Sequence, residues 1–286
     1  MEYVMSELLE NARRNKYAIP AICVSNMESV LACFRAAKNM NSPIIIQSAY
    51  SQMKPQMIEY RELANIIRAF EKRFSDVPYA IHLDHGMSEQ ECIDALDGTF
   101  PSIMFDGSSL CFEDNIKITG RLKQLAGPAR TVEAEVGKVG GEEGGTPDGE
   151  CHIIKSDPEQ LKEFLAATKA DAIAVSIGNI HGFHGCMKRA AKLDFELLER
   201  LNQVCGVPLV LHGASQIPEY DIKKAVTMGI CKVNYYTQLY NIYMECVKKY
   251  VDCTMEECMG KATEVLTLEI EKLIRICGSA DKAMRG

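Results

Sequence analysis

Short apolar runs alternate with amphipathic helical patterns along the whole chain. Eight runs rich in Ile, Val, Leu and Ala predict strands at residues 19–24, 43–47, 78–83, 102–105, 130–136, 172–177, 207–211 and 230–233. These runs do not alternate apolar and polar residues, as a strand with one face in water does. They therefore predict a parallel sheet that other elements cover on both faces.

Helical patterns fill the intervals between the predicted strands. Apolar residues three and four apart predict helices at residues 27–40, 60–74, 88–96, 115–125, 158–168, 194–204, 218–228, 237–251 and 255–276. Ser88 and Asp157 are the expected N-caps of two of them, because a short side-chain oxygen can accept from the first free backbone N–H groups. Every predicted strand is thus followed by at least one helix.

Eight strand–helix units of this length fit a (β/α)8 barrel, the TIM-barrel architecture. The alternative is a doubly wound open sheet, whose dinucleotide-binding form is disfavoured because no GxGxxG follows the first strand. No linker or low-complexity segment divides the chain, so a single domain over residues 1–286 is expected. The extra C-terminal helices, within 237–277, exceed the minimal barrel and are candidates for packing on a second subunit.

Charge and composition exclude several classes of protein. The 286 residues carry a net charge of −7, which argues against a nucleic-acid surface. The longest apolar runs are far too short to span a bilayer, and no secretory signal is evident at the N-terminus. The twelve cysteines are scattered without a CxxC pair, which favours free thiols in a reducing cytoplasm over a disulfide framework.

Polar residues collect where the predicted strands end, which is where barrel enzymes carry their active sites. His85, His181 and His212 each follow a different strand. A single histidine at such a position is usually a buried structural residue. Three histidines on one rim suit zinc, because zinc binds neutral imidazoles and a catalytic zinc keeps one coordination position open for substrate. The three histidines therefore predict a metal centre.

Two acidic residues are candidates for proton transfer. Asp84 precedes the first of these histidines and can act as a general acid or base, or it can cap the next helix, for which Ser88 is the better cap. Glu143 lies in the loop 137–150, whose first nine residues include five glycines. Such a loop can be an ordinary solvent loop or a lid that is mobile without ligand and orders over the site with one.

Segments 212–215 and 234–237 follow the last two strands, the usual barrel position for binding phosphate. Together with four other segments, these two segments resemble the signatures of the zinc-dependent class II ketose-bisphosphate (fructose/tagatose-bisphosphate) aldolases. The other segments are 79–86 (YAIHLDHG), 132–143 (VEAEVGKVGGEE), 177–178 and 181–182. The resemblance runs in order and spacing over roughly residues 6 to 275.

This resemblance implies a zinc barrel that reversibly cleaves a ketose 1-phosphate or ketose bisphosphate to dihydroxyacetone phosphate and an aldehyde. One Zn²⁺ per subunit would be held by His85, His181 and His212, with Glu135 at an alternative metal position. Asp84 would remove and return the proton of the C4 oxygen of the ketose. Glu143 would transfer the proton at the carbon of the enediolate. The residues implied for the substrate phosphate are Gly182, Gly213, Ser215, Asn234 and Thr237. A monovalent cation (Na⁺ or K⁺) and a homodimer or homotetramer are also expected.

The residues expected around the substrate depart from the family pattern, whereas the metal and proton-transfer residues do not. The departures are Cys23, Ala49, Asn179, Gly185, Gln216, Tyr236 and Tyr240. Cys23 stands where the family usually has an Asn, and Tyr236 stands where fructose-bisphosphate members have an Asp. Gly185 and Tyr240 stand where some members have basic residues that bind the distal phosphate. Two substrates remain open, a standard sugar bisphosphate or a ketose 1-phosphate with an unusual distal group, and the missing distal basic residues favour the second. Lys188, Arg189 or a basic residue of a partner subunit could restore the missing charge. The alternative is a catalytically weak or silent sugar-phosphate-binding barrel of the same family.

Overall fold

The computed structural model describes residues 1–141, 153–182 and 191–284. Its strands are β1 (Ile19–Cys23), β2 (Ile44–Ser48), β3 (Tyr79–Gly86), β4 (Ser102–Phe105), β5 (Thr131–Val136), β6 (Ala172–Val175), β7 (Leu209–Leu211) and β8 (Ile230–Tyr235). They form a closed barrel in sequence order. Since β1 pairs in parallel with both β2 and β8, the predicted (β/α)8 barrel is confirmed and the open sheet is excluded.

Helices cover the outside of the barrel. They are α1 (Met5–Arg14), α2 (Met27–Asn39), α3 (Tyr50–Met53), α4 (Tyr60–Arg68), α5 (Glu89–Asp97), α6 (Phe112–Ala126), α7 (Pro158–Thr168), α8 (Phe195–Val204), α9 (Glu219–Thr227), α10 (Thr237–Lys249) and α11 (Met255–Cys277). Both predicted N-caps are confirmed. The backbone N–H of Glu91 donates to Ser88 Oγ over 3.2 Å, and Asp157 Oδ1 accepts from two N–H groups of α7.

Helix α1 was not predicted from the sequence. It is short and rich in charged residues, so only its four buried positions, Met5, Leu8, Leu9 and Ala12, carry an apolar pattern. These side chains pack with inward-facing residues of the barrel, among them Ile45. The helix therefore supplies the apolar floor beneath the barrel interior.

Other differences concern the ends of elements. Helix α4 stops at Arg68, and the predicted continuation to residue 74 consists of turns. Strand β7 has three residues instead of five, whereas β3 runs on to Gly86. Helix α11 packs on α2 and α10 and buries Leu266, Ile270 and Leu273 in the main core, so this face is used within the chain.

Two further findings bear on the sequence-based expectations. No helix in the described part of the chain is long and apolar enough to cross a membrane. The ten cysteines within the described ranges are free thiols, and most of them are buried.

Candidate active site

The pairing of β3 with β4 is interrupted between Leu83 and Gly86, at the end of the barrel where the predicted site lies. Within this interruption His85 has a φ of 43°, a left-handed conformation that is uncommon for a residue with a side chain. Such a conformation costs about 1–3 kcal/mol in backbone strain. Asp84 and His85 both line the cavity above the barrel as a result.

The three predicted metal ligands converge at this end of the barrel. Ring centroids lie 4.9 Å apart for His85 and His181, 4.7 Å for His85 and His212, and 5.6 Å for His181 and His212. One nitrogen of each ring lies within 4.8 Å of the other two, and His85 Nε2 is 3.0 Å from His212 Nδ1. A tetrahedral zinc with ligands at 2.0–2.1 Å needs nitrogens about 3.3 Å apart, so this donor set fits zinc after a small adjustment.

Carboxylates hold the outer nitrogens of two of these rings. His85 Nδ1–H donates to Asp106 Oδ2 over 2.9 Å, and His212 Nε2–H donates to Glu133 Oε1 over 2.9 Å. Metal-binding histidines in proteins commonly donate their second N–H to a carboxylate, which fixes the tautomer and the ring orientation. These two hydrogen bonds therefore leave His85 Nε2 and His212 Nδ1 as the inward-facing ligand atoms.

Burial and charge act differently on the three imidazoles. Burial lowers the pKa of His181 well below its usual value, and the nearby His85 and His212 act in the same direction. Burial also lowers the pKa of His212. For His85, burial is outweighed by the carboxylates of Asp84 and Asp106, which raise its pKa to about 9.

A buried charged network lies below the histidines. Lys232 Nζ donates to Glu133 Oε2 over 2.8 Å, and His82 Nε2 lies 3.5 Å from the same oxygen. His82 Nδ1 is 2.7 Å from Ser102 Oγ, and Glu133, Lys232 and His82 are all fully buried. Burial disfavours the glutamate anion, but Lys232 and His212 hold the pKa of Glu133 well below its usual range. The network spans β3, β5 and β8, which are not neighbours, so it crosses the barrel interior.

Three donors surround the carboxylate of Asp84. Gln47 Nε2 donates to Oδ2 over 2.9 Å, Asn234 Nδ2 donates to Oδ1 over 2.9 Å, and Cys23 Sγ lies 3.2 Å from Oδ2. Burial opposes ionisation, yet His85, His212 and Lys232 lower the pKa of Asp84 to about 2. Asp84 is therefore an oriented carboxylate at the cavity wall, while Ser88 caps the following helix.

Glu135 belongs to a second group of possible metal ligands. Its carboxylate, with His85 and Asp106, places one ligand atom of each residue within 4.8 Å of the others. Glu135 Oε1 also accepts from the backbone N–H of Val139 over 2.9 Å. The two groups share His85.

A cavity of about 590 Å³ opens above these residues. It is lined by all five residues expected at the substrate phosphate, namely Gly182, Gly213, Ser215, Asn234 and Thr237. Thr237 Oγ1 donates to the carbonyl oxygen of Gly182 over 2.6 Å. Gly213 has a φ of 69°, and a side chain there would collide with the carbonyl oxygen of Ile180, so a close approach of two loops requires glycine.

Four of the five residues expected to influence specificity also line this cavity: Cys23, Ala49, Tyr236 and Tyr240. The fifth, Asn179, is fully buried behind it. Its Oδ1 accepts from the Ile177 N–H over 2.9 Å, and its Nδ2 donates to the His212 carbonyl oxygen over 3.1 Å. Asn179 is therefore placed to support the backbone of His212.

Several predicted residues lie outside the described ranges. They are Glu143, most of the loop 137–150, Gly185, Lys188 and Arg189. The side chain of Gln216 is likewise not described. At the start of that loop, Gly141 has a φ of 99° and the His181 N–H donates to the Gly140 carbonyl oxygen over 2.7 Å.

The structure adds five residues that the sequence-based site lacked: Gln47, His82, Asp106, Glu133 and Lys232. Each is a polar residue in or directly after an otherwise apolar strand, which was the available signal. Their partners could not be identified because these depend on the stagger between neighbouring strands and on which residues face each other across the closed barrel.

Comparisons with known proteins agree with this geometry. The family model described as fructose-bisphosphate aldolase class-II matches residues 3–282. A fructose-bisphosphate aldolase of Mycoplasma genitalium is 36% identical over 289 residues, which cover 96% of this chain and 98% of the relative. That of Mycoplasma pneumoniae is 34% identical over 297 residues, covering 98% and 99%.

A solved structure shows the same likeness in three dimensions. The crystal structure of the YdjI aldolase from Escherichia coli matches with a TM-score of 0.88 at 29% identity, covering 99% of this chain and 100% of that one. Family model, relatives and structure all extend over nearly the whole chain. The chain therefore belongs to the class II fructose-bisphosphate aldolase family.

Proposed function

We propose that this protein is a metal-dependent aldolase, which reversibly cleaves a ketose 1-phosphate or ketose bisphosphate to dihydroxyacetone phosphate and an aldehyde. The observation that carries this proposal is the convergence of three imidazoles beside the oriented carboxylate of Asp84 on one cavity. Family membership supports the same reaction.

Zinc, one ion per subunit, would be held by His85, His181 and His212, and Glu135 would line its alternative position. Bound zinc supplies a Lewis acid for the negative charge that develops when the C3–C4 bond breaks. The donor set supports zinc because three imidazole nitrogens converge and two of the rings donate their outer N–H to carboxylates. A lysine Schiff base is not needed, and the buried Lys232 is engaged by Glu133.

Asp84 would act on the C4 oxygen. In cleavage its carboxylate takes the C4 hydroxyl proton, the C4–O bond becomes the aldehyde carbonyl, and the C3–C4 electron pair stays on C3. Glu143 would then deliver a proton to C3, which completes dihydroxyacetone phosphate. The hydrogen bonds from Gln47 and Asn234 support this role, because they hold the carboxylate in one orientation before substrate arrives.

The substrate phosphate would be bound by the loops after β6, β7 and β8. The residues proposed are Gly182, Gly213, Ser215, Asn234 and Thr237, with a Na⁺ or K⁺ ion nearby as in the family. Asn234 Nδ2 is used by Asp84, while its buried Oδ1 has no hydrogen-bond partner among the described residues. That oxygen is available to accept from a substrate hydroxyl.

We further propose that the protein works in the cytoplasm as a homodimer or homotetramer. The free thiols support a reducing compartment, since cysteines in oxidising compartments usually pair. A catalytically silent sugar-phosphate-binding barrel is the competing function, favoured by Cys23 and Ala49 at positions where the family has polar contacts.

Two measurements test the proposed function. Metal analysis after mild purification should find one zinc per chain, and adding zinc or cobalt after chelation should restore activity. In D₂O the protein should exchange a proton of dihydroxyacetone phosphate, followed by NMR. Absence of bound metal together with no exchange after metal addition would leave the silent barrel as the better description.

A further inference from the structure

A row of side chains leads from Asp84 toward the start of α2 and the first half of α10. Cys23 Sγ lies 3.2 Å from the Asp84 carboxylate, and the side chain of Tyr236, which hydrogen-bonds with Ser25, follows next to Cys23. The ring of Tyr240 comes next, with its centroid 6.2 Å from that of Tyr236. All of these residues line the same cavity.

The row ends between α2 and α10. There Asn26 Nδ2 donates to the Tyr243 hydroxyl over 2.9 Å, and that hydroxyl lies 3.1 Å from Met259 Sδ. Asn26 and Tyr243 line the cavity as well. We call the part of the cavity formed by Cys23, Ser25, Asn26, Tyr236, Tyr240 and Tyr243 the tyrosine arm. Because Asp84 is proposed to act at C4 and Cys23 of this arm lies beside it, the carbons beyond C4 would extend along the arm.

Charge distinguishes the tyrosine arm from a phosphate site. Among the residues that the structure describes, no lysine or arginine lines the cavity. The described acids and histidines that line it are Asp84, His85 and His181, and these lie at the metal end. Near the outer end, the carboxylate of Glu28 is close enough to help raise the pKa of Tyr243, after burial as the larger cause. Of the described residues, a second phosphate in this arm would therefore meet only neutral groups and a nearby acid.

The polar groups of the tyrosine arm suit an uncharged chain. Its hydroxyl and amide side chains form neutral hydrogen bonds, and its tyrosine rings offer flat apolar faces to C–H groups. The first phosphate would instead be bound by backbone N–H groups of the loops after β6, β7 and β8. In the tyrosine arm the backbone N–H groups of Ser25 and Asn26 donate to Ser29 Oγ, and no described Arg or Lys offers a charge-assisted hydrogen bond. The geometry points to a ketose 1-phosphate whose distal half is a neutral hydroxylated chain, without a second phosphate or a carboxylate. This inference rests on the proposed aldolase function.

The decisive experiment runs the reaction as condensation. The zinc-loaded protein is given dihydroxyacetone phosphate and one of several aldehydes: glyceraldehyde, glycolaldehyde or lactaldehyde as neutral acceptors, and glyceraldehyde 3-phosphate or a carboxylate-bearing aldehyde of similar length as charged ones. Exchange of dihydroxyacetone phosphate protons in D₂O without aldehyde is measured in parallel. We expect exchange, and a kcat/KM for the best neutral aldehyde at least about tenfold above that for each charged one, the size of one missing charge-assisted hydrogen bond.

A matched pair of variants adds a second readout. Tyr240→Arg places a cation in the tyrosine arm and should shift the preference toward glyceraldehyde 3-phosphate by about tenfold or more, whereas the neutral Tyr240→Gln should not. A wild-type preference for a charged aldehyde, with exchange intact, would overturn the inference but not the aldolase function. Loss of both exchange and condensation with every aldehyde would overturn the aldolase function and with it the inference.

Discussion

The Nε2 atom of His212 lies 2.9 Å from Oε1 of Glu133, and both side chains are fully buried. Since a carboxylate can only accept, the proton must be on Nε2, which leaves Nδ1 as the lone-pair atom. That atom faces His85 Nε2 over 3.0 Å. Glu133 therefore determines which nitrogen His212 can offer to a metal.

Glu133→Gln should weaken zinc binding by about 10- to 100-fold, because an amide no longer enforces this tautomer or the basicity of the ring. The zinc dissociation constant can be measured by competition with a chromophoric chelator. Glu163→Gln, at an exposed position on α7, is the matched control. Equal zinc affinity in wild type and Glu133→Gln would show that Glu133 does not orient the ligand.

Lys232→Met should lower the free energy of unfolding by about 3–5 kcal/mol, because it leaves the buried Glu133 charge without its partner. The double variant Glu133→Gln/Lys232→Met removes both charges and should recover part of that loss. Urea unfolding of the metal-free protein measures both values. If the two substitutions destabilise additively, the pair is not coupled.

Asp84→Ala should retain the fold and bound zinc but lower the cleavage rate by about 10²- to 10⁴-fold, the usual contribution of general acid–base catalysis. Steady-state cleavage, circular dichroism and zinc content together make the comparison. Asp252→Ala, at an exposed position, should behave as wild type. Cleavage at the parental rate by Asp84→Ala would make this residue structural.

Glu143→Ala should slow proton exchange at the carbon of dihydroxyacetone phosphate more than it weakens binding of that compound. The reason is that this carboxylate is proposed to move the proton at carbon and not to hold the phosphate. Exchange rates by NMR and dissociation constants by calorimetry separate the two effects. Unchanged exchange would transfer the role to the neighbouring Glu142, whose Glu142→Ala variant is the comparison.

The strands and the rim histidines were predictable because each depends on local patterns. Buried parallel strands are short apolar runs, and in a closed parallel barrel their carboxyl ends must meet on one rim, which brings His85, His181 and His212 together. The closed order of the strands then follows from the fold class. Helix α1 was not predicted because most of its residues are polar or charged.

The partners of these residues were not predictable for a physical reason. The contact between Glu133 on β5 and Lys232 on β8 crosses the barrel interior, and that between Asp106 and His85 joins the ends of the neighbouring strands β4 and β3. Which side chains meet there depends on the stagger between strands, a property of the closed barrel as a whole. Asn179 shows the converse, since its neighbourhood in sequence suggested substrate contact while its amide holds the His212 backbone.

Asp84 and His85 are consecutive residues, and a regular strand would direct their side chains to opposite faces of the sheet. The interrupted pairing of β3 and the left-handed backbone of His85 let both reach the cavity. The proposed proton acceptor and metal ligand are therefore joined through a single peptide unit. The distance between these two residues is therefore set by the covalent backbone. The surrounding loops can vary and admit new substrates without changing the distance between Asp84 and His85.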